Sequence, residues 1–189
     1  MGRKGANTKK YIIEVSKKLF AEKGYSIITM KHICEACNMS RGGVYRHFSS
    51  TKEIFIAILD NDIVMNRAAL EESLKNDVPA TIIFDYFLKN EMGAIMNKEH
   101  GIFFAIHEFA FVESDQRQYF KKRLRDSIEL LSAIFEYGQN TGEFKTFDIE
   151  VMANHVLYLF DSLKTTAPIF TPTREMIEKQ ICLIKELVI

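Results

Sequence analysis

Two adjacent glycines in the stretch NMSRGGVYRHF, residues 38–48, stand where the neighbouring residue types predict a short helix. Ser40 is a typical helix N-cap, so Arg41, Gly42 and Gly43 would form the first turn. Each glycine inside a helix costs about 1 kcal/mol relative to alanine. Glycines also leave the backbone bare, and the unpaired amides of a first turn attract phosphate. We interpret this helix end as a surface for close approach of an anionic partner.

Polar and basic side chains near these glycines have the chemistry needed to contact phosphates or base edges. Arg41 can form a bidentate pair with guanine. The other candidates carry hydroxyl, phenol, guanidinium or imidazole groups: Thr29, Ser40, Tyr45, Arg46 and His47. Lys52, in the first turn of the next predicted helix, lies among amides that favour an anion. Taken singly, a tyrosine or histidine here could be a packing residue and Arg46 could be solvated, so the prediction depends on their clustering.

The charge distribution favours an anionic partner for the N-terminal segment. Residues 1–52 contain 11 Lys and Arg against 3 Asp and Glu, a net charge of +8. Residues 53–189 contain 14 against 22, a net charge of −8, and the whole chain is neutral. A basic segment beside an acidic one predicts a polyanion partner for the first. The alternative is an unevenly charged surface without a partner.

Apolar residues recur at helical spacing along the chain, and only three prolines and nine glycines are available for tight turns. We therefore predict an all-α fold of about nine helices. Capping and breaking residues place them at about 8–23, 30–37, 41–46, 51–74, 79–97, 102–111, 115–139, 149–167 and 174–188. Gly101 is expected to break the fifth helix, and Pro168 and Pro172 to bracket a connection.

Several single residues predict how the helices begin and end. Gly24 is expected to end the first helix in a left-handed conformation, and Asn38 to adopt that conformation in the turn between the second and third helices. Ser50 followed by Glu53 is the pattern of a capping box. The N-caps expected from sequence are Thr29, Ser40, Asp148 and Thr173.

The second and third predicted helices, joined around Asn38, form a helix-turn-helix pattern. Small and apolar residues are available for the helix crossing: Ile33, Cys34, Cys37, Met39, Val44 and Phe48. In this motif the second helix lays its N-terminal end in the major groove of DNA. The two glycines are therefore interpreted as sacrificing helix propensity so that DNA can come close.

The segment FAEKGYSIITMKHICEACNMSRGGVYRHFSSTKEIF, residues 20–55, resembles the DNA-binding segment of the TetR family of bacterial transcriptional regulators. The resemblance covers about residues 8–59. The positions that match the family pattern are Gly24, Thr29, Ile33, Ser40, Gly42, Tyr45, Phe48 and Lys52. There are two departures: Asn38 replaces the usual turn glycine, and the spacing from Phe48 to Lys52 is one residue longer than the commonest one.

The resemblance implies a two-fold dimer with two domains in each chain. Residues 1–50 would form a three-helix, helix-turn-helix DNA-binding domain, and residues 51–189 a helical ligand-binding and dimerisation domain. The expected function is that of a repressor that binds a palindromic operator in double-stranded DNA and is released by a small hydrophobic effector. A constitutive DNA-binding protein without an effector is the alternative. The last two predicted helices carry more apolar surface than one helical face can bury inside a monomer, which favours a four-helix homodimer interface built from residues 148–188.

Phenylalanine and methionine are concentrated in the middle helices, where they could line an effector pocket or simply form the core. The candidates are Phe84, Phe87, Met92, Met96, Phe103, Phe104, Phe109 and Phe120. Glu91, on an otherwise apolar helical face, and His107 are the polar candidates for effector contact. Glu91 could instead pair with a lysine or arginine or tilt to solvent, and of these we favour the solvent-facing position.

Motifs of catalysis and metal binding are missing from the sequence. It contains no GxxxxGK[ST], GxGxxG or nucleophile elbow, so we predict no enzymatic activity. Cys34 and Cys37 have the spacing of a zinc half-site, but no second pair follows at zinc-finger spacing. Packing at the helix crossing explains both cysteines, and we expect no metal or cofactor. Three cysteines without a signal peptide, and no long apolar run, predict a cytoplasmic protein without a membrane span.

Overall fold

A computed structural model describes residues 3–96 and 101–189, which form nine α-helices, one short 3-10 helix and no β-strand. The α-helices are α1 (Arg3–Lys23), α2 (Met30–Ala36), α3 (Arg41–Tyr45), α4 (Thr51–Lys75), α5 (Ala80–Met96), α6 (Gly101–Val112), α7 (Arg117–Asn140), α8 (Ile149–Phe170) and α9 (Arg174–Val188). The 3-10 helix, Ser114–Gln116, connects α6 to α7. The predicted all-α fold of about nine helices is confirmed for these residues.

The predicted N-caps and the two predicted left-handed residues are confirmed. Four side chains accept a hydrogen bond from the backbone amide three residues later and so cap α2, α3, α8 and α9: Thr29, Ser40, Asp148 and Thr173. Gly24 follows α1 with φ of +79°, and its amide donates to the carbonyl of Phe20. Asn38 has φ of +51°, the left-handed conformation expected in the turn between α2 and α3.

The capping box at the start of α4 is only half formed. The Glu53 amide donates to Ser50 Oγ at 3.1 Å, as the pattern predicts. The Glu53 carboxylate, however, accepts from the amide and hydroxyl of Ser49, at 2.6 and 2.9 Å. These hydrogen bonds stabilise the charged carboxylate and lower the pKa of Glu53, and the bond from the Ser49 amide contributes most.

The prediction that Pro168 begins the connection after α8 is wrong. Pro168 lies inside α8. The helix continues to Phe170 and ends at Thr171, which has a left-handed φ of +43°. Because Pro168 lies in the final turn, its missing amide removes only one intrahelical hydrogen bond before the helix ends. Gly101 is the first residue of α6, and the predicted end of the preceding helix near Asn97 lies outside the described residues.

Contacts divide the chain into two compact units. The first comprises the described residues through Val64 together with Gly101–Gln116, so α6 packs in the same unit as α1, α2 and α3. Four rings from α1, the α1–α2 connection, α4 and α6 form its aromatic cluster: Phe20, Tyr25, Phe55 and Phe109. Gly101 lies against the backbone carbonyl of Ala21 at the α1–α6 crossing, and a Cβ at residue 101 would overlap that carbonyl.

The second unit comprises the described residues of 65–100 and Arg117–Ile189. Its core contains three fully buried phenylalanines, one each from α5, α7 and α8: Phe84, Phe135 and Phe160. The Glu143 carboxylate accepts hydrogen bonds from the amides of Ala80 and Thr81, at 3.0 and 3.1 Å, and so caps α5. Within the described ranges, none of the helices combines the length and apolar composition needed to cross a bilayer.

Candidate nucleic-acid interface

The helix pair α2 and α3 is held by a small apolar core. Ile33, Val44 and Phe48 are almost completely buried, and Cys34 and Cys37 are also buried. Burial raises the pKa of the Cys37 thiol, and the neighbouring Cys34 makes a smaller contribution in the same direction. Among the described residues, no three or more His, Cys, Asp or Glu side chains are grouped so that they could hold a metal ion.

The two glycines of α3 have different surroundings. Apart from its chain neighbours and the nearby backbone of α3, a Cβ built on Gly42 would have no protein atom within 4 Å, whereas one on Gly43 would lie 3.2 Å from Met39 Cε and 3.3 Å from Ser40 Oγ. The Gly43 amide also donates to the capping Ser40 hydroxyl at 3.2 Å. A side chain at residue 43 would therefore require Met39 and Ser40 to shift by a small distance. Packing does not account for Gly42, which is exposed in the first turn of the helix.

The other predicted contact residues in α3 and directly after it are mostly exposed. Arg41 and Tyr45 are one helical turn apart and lie on the same face of the helix, with Tyr45 49% exposed. Arg46 is also exposed. His47 is half-buried, and its Nδ1 atom is buried with no hydrogen-bond partner among the described residues. This surface therefore presents guanidinium, phenol and bare backbone side by side.

Lys52 lies at the start of α4 as predicted, but its ammonium group is engaged within the protein. Its Nζ lies 2.6 Å from Asp115 Oδ2 and 3.1 Å from Glu113 Oε2. The hydrogen bond with Asp115 raises the pKa of Lys52 and lowers that of Asp115. These carboxylates are not predictable from the sequence, because Asp115 is 63 residues from Lys52 and no local pattern links the two.

A second set of hydrogen bonds ties α6 to the α1–α2 connection. The Tyr25 amide donates to Glu108 Oε2 at 2.6 Å, and the Tyr25 hydroxyl donates to Glu113 Oε1 at 2.8 Å. Burial raises the pKa of the Tyr25 phenol, and the hydrogen bond to Glu113 makes the second-largest contribution in the same direction. The carboxylates of α6 and its C-terminal extension therefore fix both the entrance to α2 and the first turn of α4.

The predicted effector contacts are distributed over both units, and each unit contains some of them. Those in α5 and α7, in the second unit, are Phe84, Phe87, Glu91, Met92, Met96 and Phe120. Those in α6, in the first unit, are Phe103, Phe104, His107 and Phe109. Phe84 and Phe109 are fully buried in the cores of their units, whereas Phe104 is 52% exposed.

Glu91 does not tilt to solvent, and that interpretation is wrong. Its Oε2 atom lies 2.9 Å from Lys164 Nζ, and the two side chains are only 17% and 12% exposed. The alternative that Glu91 pairs with a basic residue is confirmed. The helical pattern of α5 places the carboxylate on an apolar face but does not indicate which side chain of α8 lies opposite. Without a partner, a carboxylate buried at this position would be costly.

Comparison with known sequences identifies two matched regions. Bacterial regulatory proteins of the tetR family match residues 12–58, and the tetracyclin repressor-like C-terminal domain matches residues 83–178. The uncharacterized HTH-type transcriptional regulator YfiR of Bacillus subtilis is 30% identical over 136 residues, which are 71% of this chain and 66% of YfiR. The HTH-type transcriptional repressor AcnR of Corynebacterium efficiens is 31% identical over 72 residues, 38% of each chain. The matched part therefore spans less than two thirds of either relative.

Among solved structures, reduced NemR of E. coli superposes with a TM-score of 0.79 at 17% identity, covering 97% of this chain and 98% of NemR. At this identity the likeness shows the fold alone. The family assignment depends on the sequence matches, of which the C-terminal one spans just over half of the chain. This chain therefore belongs to the tetR family of bacterial regulatory proteins, which are helix-turn-helix transcriptional regulators.

Proposed function

We propose that this protein is a transcriptional repressor that binds a palindromic operator in double-stranded DNA as a homodimer and is released by a small hydrophobic effector. The observation that carries the DNA-binding part is the open space around Gly42 in the first turn of α3. Exposed backbone there permits close approach of a duplex, and the net charge of +8 over residues 1–52 attracts it. The repressor named among the relatives, AcnR, supports repression as the outcome of binding.

The proposed DNA contacts surround the turn between α2 and α3. Arg41 is proposed to contact guanine, and Gly42 to let the backbone approach the groove. The remaining proposed contacts, to phosphates or base edges, are Thr29, Ser40, Gly43, Tyr45, Arg46, His47 and Lys52. A homodimer would present two such surfaces to half-sites about one helical turn apart, which requires an inverted repeat.

Footprinting tests this proposal directly. The protein is incubated with its own upstream region and, separately, with a pool of randomised duplexes from which bound molecules are selected at about 100 mM salt. We expect a protected inverted repeat with half-sites centred about 10 base pairs apart. Selection of no preferred sequence at modest salt would contradict operator recognition.

Exposed apolar side chains on α8 and α9 support a dimer interface within residues 148–188. Five of them are between 46% and 65% exposed: Val151, Tyr158, Met176, Leu183 and Leu187. On α9, Met176, Leu183 and Leu187 follow helical spacing and form one stripe. In a two-fold dimer the same surface patch of both copies takes part, so this stripe would be buried on each chain.

Leu183→Lys is expected to weaken dimerisation at least tenfold, or by about 1.4 kcal/mol, because it places an ammonium group in the centre of the stripe. Analytical ultracentrifugation over a range of protein concentrations measures the dissociation constant. Cys182→Lys is the matched control, since it adds the same charge at the adjacent exposed position on another face of α9. Equal dimerisation of the Leu183→Lys protein and the wild type would place the interface elsewhere.

The proposed effector contacts are six side chains from the sets in α5 and α6 that are not fully buried. They are Phe87, Glu91, Met92, Phe103, Phe104 and His107. Glu91 would contact an effector while it is paired with Lys164. A thermal-shift screen of lipophilic compounds tests for an effector, because a ligand that binds only the folded state raises the melting temperature. The expected compound also releases the operator duplex in a binding assay. If no compound in a broad panel has either effect, the alternative of a constitutive DNA-binding protein is favoured.

A further inference from the structure

The ammonium group of Lys52 lies in a site that repels phosphate in its present arrangement. One ammonium and two carboxylates, from Glu113 and Asp115, have a net charge of −1. The side chains of Lys52 and Glu113 are 29% and 23% exposed, so solvent screens their interaction less than it would screen a fully exposed pair. A DNA phosphate can contact Lys52 only if the carboxylates give up the ammonium group or move away.

We propose that Glu113 and Asp115 compete with the DNA backbone for the ammonium group of Lys52 and thereby lower the DNA affinity of the first unit. This inference rests on the proposed function, since it assumes that Lys52 contacts phosphate when the operator is bound. Glu113 and Asp115 do not touch DNA themselves in this scheme. They are positioning residues that act through Lys52.

Both carboxylates keep a hydrogen-bond donor when Lys52 leaves. Glu113 accepts from the Tyr25 hydroxyl at 2.8 Å through Oε1, the oxygen that does not face Lys52. Asp115 Oδ2 accepts from Gln116 Nε2 at 3.0 Å. Because neither carboxylate is left without a partner, the exchange of Lys52 from carboxylate to phosphate is reversible and leaves α6 in place.

The competition changes how the affinity depends on salt. A lysine that neutralises one phosphate steepens the salt dependence of binding by about 0.9 units on a log–log plot, because counterions are released from DNA. In the wild-type protein the freed carboxylates take up cations, which offsets this release. The contribution of Lys52 to the slope is therefore expected to be small in the wild type and close to one unit in a protein that lacks both carboxylates.

A double-mutant cycle tests the proposal. The four full-length proteins are the wild type, Lys52→Ala, Glu113→Gln/Asp115→Asn, and the triple variant. Fluorescence anisotropy measures their affinity, from 50 to 200 mM salt, for the duplex that the wild type selects from the randomised pool and for a scrambled duplex. We expect the double variant to bind both duplexes about tenfold more tightly than the wild type, with a steeper slope. The triple variant should lose this gain.

Asp62→Asn is the matched control. It removes one carboxylate charge from the same unit and breaks the pair between Asp62 and Lys17, whose atoms are 2.9 Å apart and whose side chains are 39% and 38% exposed. Its DNA affinity is expected to stay within about twofold of the wild type, because it does not release Lys52. Should the double variant fail to fold by circular dichroism, Asp115→Asn alone replaces it, since Asp115 is 63% exposed. That variant should bind about threefold more tightly.

Two results would overturn the proposal: wild-type affinity in the carboxylate variants, or a gain in affinity that persists in full after Lys52→Ala. Failure of the proposed function looks different, because the wild type would then select no sequence from the pool. The proposal is supported if the gain in DNA affinity disappears with Lys52→Ala and is absent from Asp62→Asn. A general loss of negative charge would raise the affinity of the Asp62→Asn protein as well.

Discussion

Gly42→Leu is expected to weaken operator binding by about a hundredfold or more, which corresponds to about 2.7 kcal/mol, while the fold stays intact. Residue 42 is exposed, and a Cβ atom added there meets no neighbouring part of the protein within 4 Å, so we expect the fold to tolerate the new side chain. The leucine would, however, project from the first turn of α3 into the volume that the duplex must occupy. Electrophoretic mobility shift with the selected duplex measures the loss, and circular dichroism measures the helical content.

A smaller substitution at residue 42 distinguishes an effect on DNA contact from an effect on helix stability. Gly42→Ala should raise the free energy of unfolding by up to about 1 kcal/mol, because alanine has the higher helix propensity. It should nevertheless weaken operator binding, though less than leucine does. Wild-type affinity in the Gly42→Leu protein would show that the backbone at residue 42 does not approach DNA.

Gly101→Ala is expected to destabilise the protein by about 3 kcal/mol, because the added methyl group overlaps the backbone carbonyl of Ala21 at the α1–α6 crossing. A backbone atom cannot rotate away as a flexible side chain can, so one of the two helices must shift. For a chain of this length the melting temperature should fall by about 6–12 °C. Differential scanning calorimetry measures this change.

Gly42→Ala is the control for Gly101→Ala, since it is the same substitution at a helical glycine with no protein atom near the new Cβ. The two variants should behave in opposite ways: Gly42→Ala keeps or gains thermal stability and loses DNA affinity, whereas Gly101→Ala loses thermal stability. An unchanged melting temperature in Gly101→Ala would mean that α1 and α6 do not cross as closely as described.

The sequence was sufficient for features that are encoded within about four residues. Thr29, Ser40 and Asp148 cap helices because a short polar side chain reaches the amide three residues later, and the pattern is visible in any window of that size. Gly24 and Asn38 adopt left-handed conformations for similarly local reasons. These local signals, with the helical periodicity, were enough to predict the all-α fold and the helix-turn-helix pattern.

Features that depend on the tertiary structure were not predictable from the sequence. The partners of Lys52 come from the segment after α6, and the partner of Glu91 comes from α8, at separations where no periodic pattern applies. Pro168 was misplaced for another reason: a proline usually marks a helix end, but in a final turn it costs only one hydrogen bond. The close approach of the Met39 side chain to Gly43 was also not predictable, because it depends on the conformation of that side chain.

The position of α6 has a consequence for the construction of hybrid regulators. Residues 101–116, which contain α6 and the 3-10 helix, pack with the N-terminal helices, although in sequence they lie between helices of the other unit. A chimera joined at a single point near residue 50 would therefore place α1 of one parent against α6 of the other. Gly101 and Ala21, and the Tyr25 contacts with Glu108 and Glu113, would then have to match between proteins that did not evolve together. Exchanging α6 along with the N-terminal helices avoids this mismatch.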